Sequence, residues 1–476
     1  MKKNLPDLII IFCYKTFLYF LWPFFLYPLV NILLAKIIPL LKERKSFENR
    51  NKYSSSFKLE GEGEGEGKRA AVTFEVSSEG ELEQIRPLVN RLLADNQLLE
   101  IIFCSDSVEN ALLALAERYP ANLRILRLPL ISFFPYRLKH TSSDWMSSST
   151  LILCRYDFFP ELILLGRRPD INFILLSATL KDKEKKLNSK RSLYLRLYHL
   201  YFKFIYSSFN QILTATPQDN TRFKKYFNLE TATVDFRILQ VAERVKNHQI
   251  KLQKLPFFKE LHSLINSFPK EKTIIFGSFW EIEAQAFEDN DFIHGILNKQ
   301  IQVTIVPHLL DKISIQKIAD SISQATGNKL PIYTIDETNQ HLKVETCKIF
   351  NQIKEKNGIL ILGLKGILCE LYYLYTHAFV GGGHGRSIHS VIEPYLANCL
   401  SYVGPKVFRS TEYDLIKELS PQEINIVSQL PTFYQVITKN ININKDIDLL
   451  SRENIINNMQ VPFDTFLKKI TTNATK

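Results

Sequence analysis

Short apolar runs alternate along this chain with stretches whose apolar residues recur at helical spacing. Arg69–Val76 (RAAVTFEV) opens the pattern as a strand. SSEGE at 77–81 forms the turn after it, and Leu82, Ile85, Leu88, Val89 and Leu92 mark a helix behind the turn. Glu100–Cys104, Leu123–Leu128, Ser149–Cys154, Asn172–Leu176 and Asn210–Thr214 predict further strands, with Leu112–Ala116 on an intervening helix. A second set begins after about residue 245, with strands at Lys272–Gly277, Val303–Pro307, Ile332–Ile335, Ile359–Leu362, Tyr375–Val380 and Asn398–Val403. The tail predicts one helix around Glu453–Met459 and another around Phe463–Ile470. Strands alternating with helices predict parallel, doubly wound α/β sheets. The expectation is two Rossmann-like domains, 68–240 and 245–476, facing each other across a cleft. In such sheets the chemistry lies at the carboxyl ends of the strands.

The stretch FVGGGHGRSIHSVIEP, 379–394, concentrates the candidate chemistry. A buried strand runs into Gly381, Gly382, Gly383 and Gly385, and from about Ser387 the spacing of Ile388, Val391 and Ile392 predicts a helix. Strand, glycine turn and helix start together make an anion site, because glycine lets backbone approach a ligand and the first N–H groups of a helix favour negative charge. His389 and Glu393, four apart, would share one face of that helix. Without a ligand, the same pair reads as a polar patch on a solvated helix.

Carboxylates fall at strand ends in the first domain. Glu79 and Glu81 follow the first strand, and Asp157 follows the fourth. Glu81 fits two roles: a general base for a sugar hydroxyl, kept ionised by the helix dipole, or the acid of a capping box whose N-cap is Ser77 or Ser78. Asp157 fits a catalytic acid or a plain loop residue. Asp446 and Asp448 form a DxD pair in an Asn/Lys-rich stretch and read as solvated surface.

Thr16–Ala35 is a run of twenty residues without a charge, long enough to span a bilayer as a helix. Tyr19, Trp22 and Tyr27 suit a membrane interface, while Pro23 and Pro28 would kink the helix or lay part of it along the surface. A cleaved signal peptide is disfavoured by the length of the run and by the lack of a small-x-small site; a buried core helix is disfavoured by the density of aromatics and prolines. Lys36, Lys42, Arg44, Lys45, Arg50 and Lys52 follow it, which predicts a cytoplasmic body. Residues 1–45 are therefore expected to be a membrane anchor. Residues 46–67, with the EGEGEGEG repeat, are expected to be a linker.

The 476 residues exceed one ordinary core, and a net charge of +11 suits an anionic membrane face or a phosphorylated substrate. The basic residues are spread without a block beside aromatic RNA-binding motifs, so nucleic acid is not an expected partner. The six cysteines show no CxxC spacing, and neither a metal nor another cofactor is expected.

SSEGE (77–81), RYDFFPEL (155–162), PH (307–308), CEL (369–371), VGGG (380–383) and IHSVIEP (388–394) occur in one order that resembles the 3-deoxy-D-manno-octulosonic acid (Kdo) transferases. The resemblance covers almost the whole chain apart from the Gly-Glu repeat. It implies a metal-independent, inverting glycosyltransferase of GT-B architecture that moves Kdo from CMP-Kdo to the lipid A precursor, lipid IVA, in lipopolysaccharide biosynthesis. The implied place is the cytoplasmic face of the inner membrane. By this resemblance Glu81 is the general base and Asp157 a second catalytic position, where the family usually has glutamate. Ser278, His308, Glu370, Gly381, Gly382, Gly383, Arg386, His389, Ser390 and Glu393 fall on the donor side. The chain departs from the family at Ser390 for Asn, Phe159 for Trp, Gly383 for Ser, Cys369 for Gly, and Glu75 near a usual His. A membrane-associated GT-B transferase for another nucleotide sugar, or a non-catalytic GT-B-like glycolipid-binding protein, are the alternatives.

Overall fold

A computed structural model describes Cys13 and residues 69–474, apart from 128–145, 156–157, 189–191 and 442–448. The expected anchor and linker, Asp157, and the Asp446/Asp448 pair lie outside the described residues. Among the described residues no helix is long and apolar enough to cross a membrane.

The chain divides into two compact units: unit 1, Met1–Gln240 with Asn458–Lys476, and unit 2, Val241–Asn457. Unit 1 holds β1 (Val72–Glu75), β2 (Leu99–Phe103), β3 (Leu123–Arg127), β4 (Thr150–Cys154), β5 (Asn172–Ala178), β6 (Gln211–Thr214) and β7 (Ala232–Thr233). They pair in the order β3-β2-β1-β4-β5-β6-β7, every pair parallel. Helices α1 (Glu79–Ala94), α2 (Asp106–Arg118) and α3 (Leu193–Tyr206) belong to this unit. Strands β1, β2 and β4 are buried on both faces, which is why apolar residues dominate them; Glu75 and Glu100 are the buried acids among them.

Unit 2 repeats the scheme with β8 (Thr273–Phe279), β9 (Gln302–Pro307), β10 (Ile332–Asp336), β11 (Ile359–Gly363), β12 (His377–Val380), β13 (Leu400–Val403) and β14 (Ile424–Ile426). Their order is β10-β11-β9-β8-β12-β13-β14, again all parallel. Helices α4 (Lys312–Ala325) and α5 (Ile392–Leu396) follow β9 and β12. In both sheets the strand order reverses beside the first strand, between β1 and β4 and between β8 and β12. Such switch points open a crevice at the carboxyl ends of the strands.

Three expectations are corrected. The helix predicted from about Ser387 starts only at Ile392, and 384–390 form turns and loop. The two predicted tail helices are one, α6 (Leu449–Ala474), with Pro462 inside it. Residues 458–476 belong to unit 1 and not to the second domain, because Phe463, Phe466, Leu467 and Ile470 bury themselves in the core formed by β1, β2 and α1. The two-residue β7 and the part-polar β14 have no apolar run that would predict them.

Candidate active site

In unit 1 the β1/β4 switch point carries Glu81. Ser78 is the N-cap of α1, and its Oγ accepts the Glu81 N–H at 3.3 Å. The Glu81 carboxylate reaches back and accepts the Ser77 N–H at 2.8 Å. This is a capping box displaced by one residue, so the capping role of Glu81 is real. It also fixes the carboxylate, 7% exposed, at the carboxyl end of β1. Ser77 Oγ donates to buried Glu75 at 2.8 Å. At the neighbouring end of β4, burial pushes the Cys154 thiol well up, and the charges of Glu81, Glu75 and Asp235 push it further, against Arg155. The charges of three carboxylates and one guanidinium thus bear on this strand end. Arg155 has a left-handed backbone, φ +63°, where the chain leaves β4. Asp157, two residues on, is outside the described residues.

In unit 2 the ends of β9, β8 and β12 lie side by side, which brings together Ser278, His308 and the glycine turn. Ser278 has φ +51° at a bulge near the end of β8, and Trp280 follows two residues on, directly after the strand. Trp280 stacks on His308 at 4.5 Å between ring centroids, and His308 stacks on His389 at 4.2 Å. Trp280 Nε1–H donates to His389 Nε2 at 3.1 Å. An accepting Nε2 must be unprotonated. Burial, and then the neighbouring His308, lower the His389 pKa to about 4, so the ring is neutral near pH 7.

Glu283 ties this cluster to the glycine turn. It is fully buried and accepts the N–H groups of Gly382 at 2.7 Å and Trp280 at 2.9 Å. Burial raises its pKa to about 7 against the pull of those two donors. Gly382 has φ +93°, and a Cβ there would meet the His389 ring. Gly383 packs on Gly404, whose Cα would lie 2.7 Å from an added Cβ. Lys406 donates from its Nζ to the carbonyls of His384 and Gly385, and its N–H donates to Gly383 O. Arg386 is exposed in the same loop.

The N-terminus of α5 is occupied. Glu412 accepts the N–H groups of Val391 at 2.9 Å and Ile392 at 3.3 Å, and the Ser390 hydroxyl at 3.1 Å. The anion expected there is a carboxylate of the protein itself.

Glu370 forms a second centre. Its carboxylate takes both Arg244 Nε at 2.9 Å and Arg244 Nη2 at 3.0 Å, and Lys251 Nζ at 3.0 Å. Burial would raise the Glu370 pKa, but these cations outweigh it and hold the acid below its usual range. Glu393 bears on the same place, since its charge raises the pKa of Arg244 and of the buried Cys369 thiol. The structure therefore groups Ser278, His308, His389 and Gly381–Gly383 in one cluster and pairs Glu370 with Arg244, on which Glu393 acts through its charge.

Sequence reasoning missed Trp280, Glu283, Arg244, Lys251 and Glu412. A tryptophan directly after a strand end was a usable signal for Trp280. The others carry no periodic or motif signature. Beside Trp280 lies a cleft of about 800 Å3 between residues 281–288 and α4, lined also by Glu281, Gln285, Glu288 and Gln324. Among the described residues no group of three or more His, Cys, Asp or Glu side chains could hold a metal ion.

Residues 45–236 match the family model of the 3-deoxy-D-manno-octulosonic-acid transferases (kdotransferases). The matched segment is of the Kdo transferase family and takes in all of the unit 1 sheet. The chain is a glycosyltransferase. No curated protein sequence matches the chain. Among solved structures, the C-terminal CMP-Kdo binding domain of WaaA from Acinetobacter baumannii is 13% identical, covering 48% of this chain and 97% of that one, with a TM-score of 0.30. A glycosyltransferase from Rickettsia africae ESF-5 is 10% identical, covering 85% and 99%, with a TM-score of 0.49. The UDP-GlcNAc 2-epimerase of Methanocaldococcus jannaschii is 10% identical, covering 82% and 99%, also with a TM-score of 0.49. Likenesses of this size add nothing to the fold, which rests on the two parallel sheets themselves.

Proposed function

We propose that this glycosyltransferase is a Kdo transferase of GT-B architecture that moves Kdo from CMP-Kdo to the phosphorylated glucosamine disaccharide of a lipid A precursor, with inversion. The observation that carries the reading is the kdotransferase match over the unit whose β1–α1 turn holds Glu81. An acceptor hydroxyl loses its proton to Glu81 as its oxygen attacks the anomeric carbon of Kdo, and the bond from that carbon to the CMP phosphate oxygen breaks. The bond from the Ser77 N–H keeps the base oriented toward one position.

On the donor side, the ring cluster of Trp280, His308 and His389 offers a flat apolar face with neutral nitrogens to the nucleotide. The phosphate is met by loop N–H groups and by Arg386, since the first N–H groups of α5 are taken by Glu412. Asp157 acts beside Glu81 as a second catalytic carboxylate on the acceptor side. Residues 1–45 anchor the protein in the inner membrane with its catalytic units on the cytoplasmic face, where a net charge of +11 favours anionic lipid and a phosphorylated acceptor.

Incubation of the purified protein with CMP-Kdo and tetra-acylated lipid A precursor, read by mass spectrometry, should give an acceptor heavier by Kdo residues. Turnover of a UDP-sugar instead, with CMP-Kdo untouched, would assign another donor.

A further inference from the structure

Helix α3 of unit 1 has two apolar faces, and only one is used by the core. Tyr198, Phe202, Ile205 and Tyr206 face inward, where Phe202 and Tyr206 pack on Phe158 and Tyr206 meets Phe223. Leu193, Tyr194, Leu197, Leu200 and Tyr201 are exposed, Leu193 by 74% and Tyr194 by 63%. At about 100° per residue these five side chains fall within roughly 120° of the helix circumference, so they form one stripe and not a scatter. Arg196 and Lys203, both exposed, border one edge of it.

The surrounding sequence is strongly basic. Residues 181–206 hold eight Lys or Arg against two acids, a net +6 out of +11 for the whole chain. Lys183 and Lys186 lay their ammonium groups over the rings of Phe202 and Tyr198, each 5.4 Å from the centroid. Both ammonium groups thus lie against aromatic rings of the helix as cation–π contacts.

We propose that the outer stripe of α3 is a docking surface for an anionic lipid bilayer, with Leu193, Leu197 and Leu200 entering the acyl boundary. Tyr194 and Tyr201 sit at headgroup level, and the flanking cations meet lipid phosphates. A leucine and tyrosine stripe edged by cations has the composition of an interfacial helix, with the polar edge matched to negative headgroups. A second copy of the chain is a poorer occupant, because a two-fold contact through this helix would bring its cluster of like charges together. The inference deepens the functional reading above, in which the acceptor is a membrane glycolipid. It stands on a different element from the proposed chemistry.

Hydroxyl-radical footprinting of the full chain, followed by peptide mass spectrometry, reads these side chains directly. With vesicles of equimolar phosphatidylglycerol and phosphatidylcholine, oxidation of Tyr194, Leu197 and Tyr201 should fall about tenfold relative to the lipid-free protein. The protection should weaken in the R196E/K203E variant. Undiminished oxidation in protein that co-sediments with the vesicles overturns the proposal. So does full protection without lipid, which would place a second copy or the chain's own residues on the stripe. Transfer to a detergent-dispersed acceptor separates the two readings: its loss counts against the proposed function and leaves the footprint as the test of α3.

Discussion

Glu283 and Glu81 are both buried acids at strand ends, and their surroundings set them to different tasks. Glu283 accepts two peptide N–H groups yet titrates near pH 7, because burial outweighs both donors. Its folded pKa lies above the 4.5 of the unfolded chain. The stability this gives is complete below pH 4.5 and is lost as pH rises through 7. That is about 3 kcal/mol in unit 2 across the window. Thermal unfolding from pH 5 to 8 should show the decline, and Glu283→Gln should flatten it; an equal slope in that variant removes Glu283 as the source. His389 has the opposite sign, since its lowered pKa makes its contribution complete above about 6.5 and lost toward 4. For Glu81 the expectation is chemical. Glu81→Gln keeps an oxygen for the Ser77 N–H but cannot take a proton, so kcat should fall roughly 10²- to 10⁴-fold. Nucleotide binding by calorimetry should not change, and full turnover in the variant would end its assignment as base.

At the scale of the element, the glycine turn after β12 is held by groups distant in sequence. Glu283 takes the N–H of Gly382, Lys406 holds the carbonyls of His384 and Gly385, and the Gly404 backbone lies against Gly383. This contact explains one departure from the family pattern: serine at 383 has no room for its Cβ while Gly404 stays in place. Gly383→Ser should therefore destabilise unit 2 by about 1–3 kcal/mol. Differential scanning calorimetry checks it, and a variant as stable as the parent would show that the turn relaxes. The late start of α5 has a related cause. The apolar spacing from Ile388 fits a helix, but Glu412 caps the N–H groups of Val391 and Ile392 and fixes the first turn there.

Across the whole molecule, each unit is a parallel sheet with its candidate residues at the switch point, and the tail of the chain completes the first core. Phe466 is buried and packs on Phe236 at 5.6 Å between centroids, with Phe463 at 5.3 Å from the same ring. Phe466→Ala should cost unit 1 about 3–5 kcal/mol although the residue lies more than two hundred positions further along. Urea unfolding followed by a probe in unit 1 measures this; a change confined to unit 2 would contradict the packing.

Twelve of the fourteen strands among the described residues were legible in the apolar runs, because a strand buried on both faces of a parallel sheet is apolar over most of its length. The strand-end positions of Glu81, Ser278, His308 and the glycines followed from the same pattern. Such a run marks where a strand stops, and parallel pairing brings the stops to one edge. Only tertiary structure decided that Glu283 and Glu412 fill N–H groups expected to meet an anion, that Trp280 links two histidines, that Arg244 holds Glu370, and that the tail packs on unit 1. Each of these depends on contacts between residues far apart in the chain, for which local periodicity carries no information.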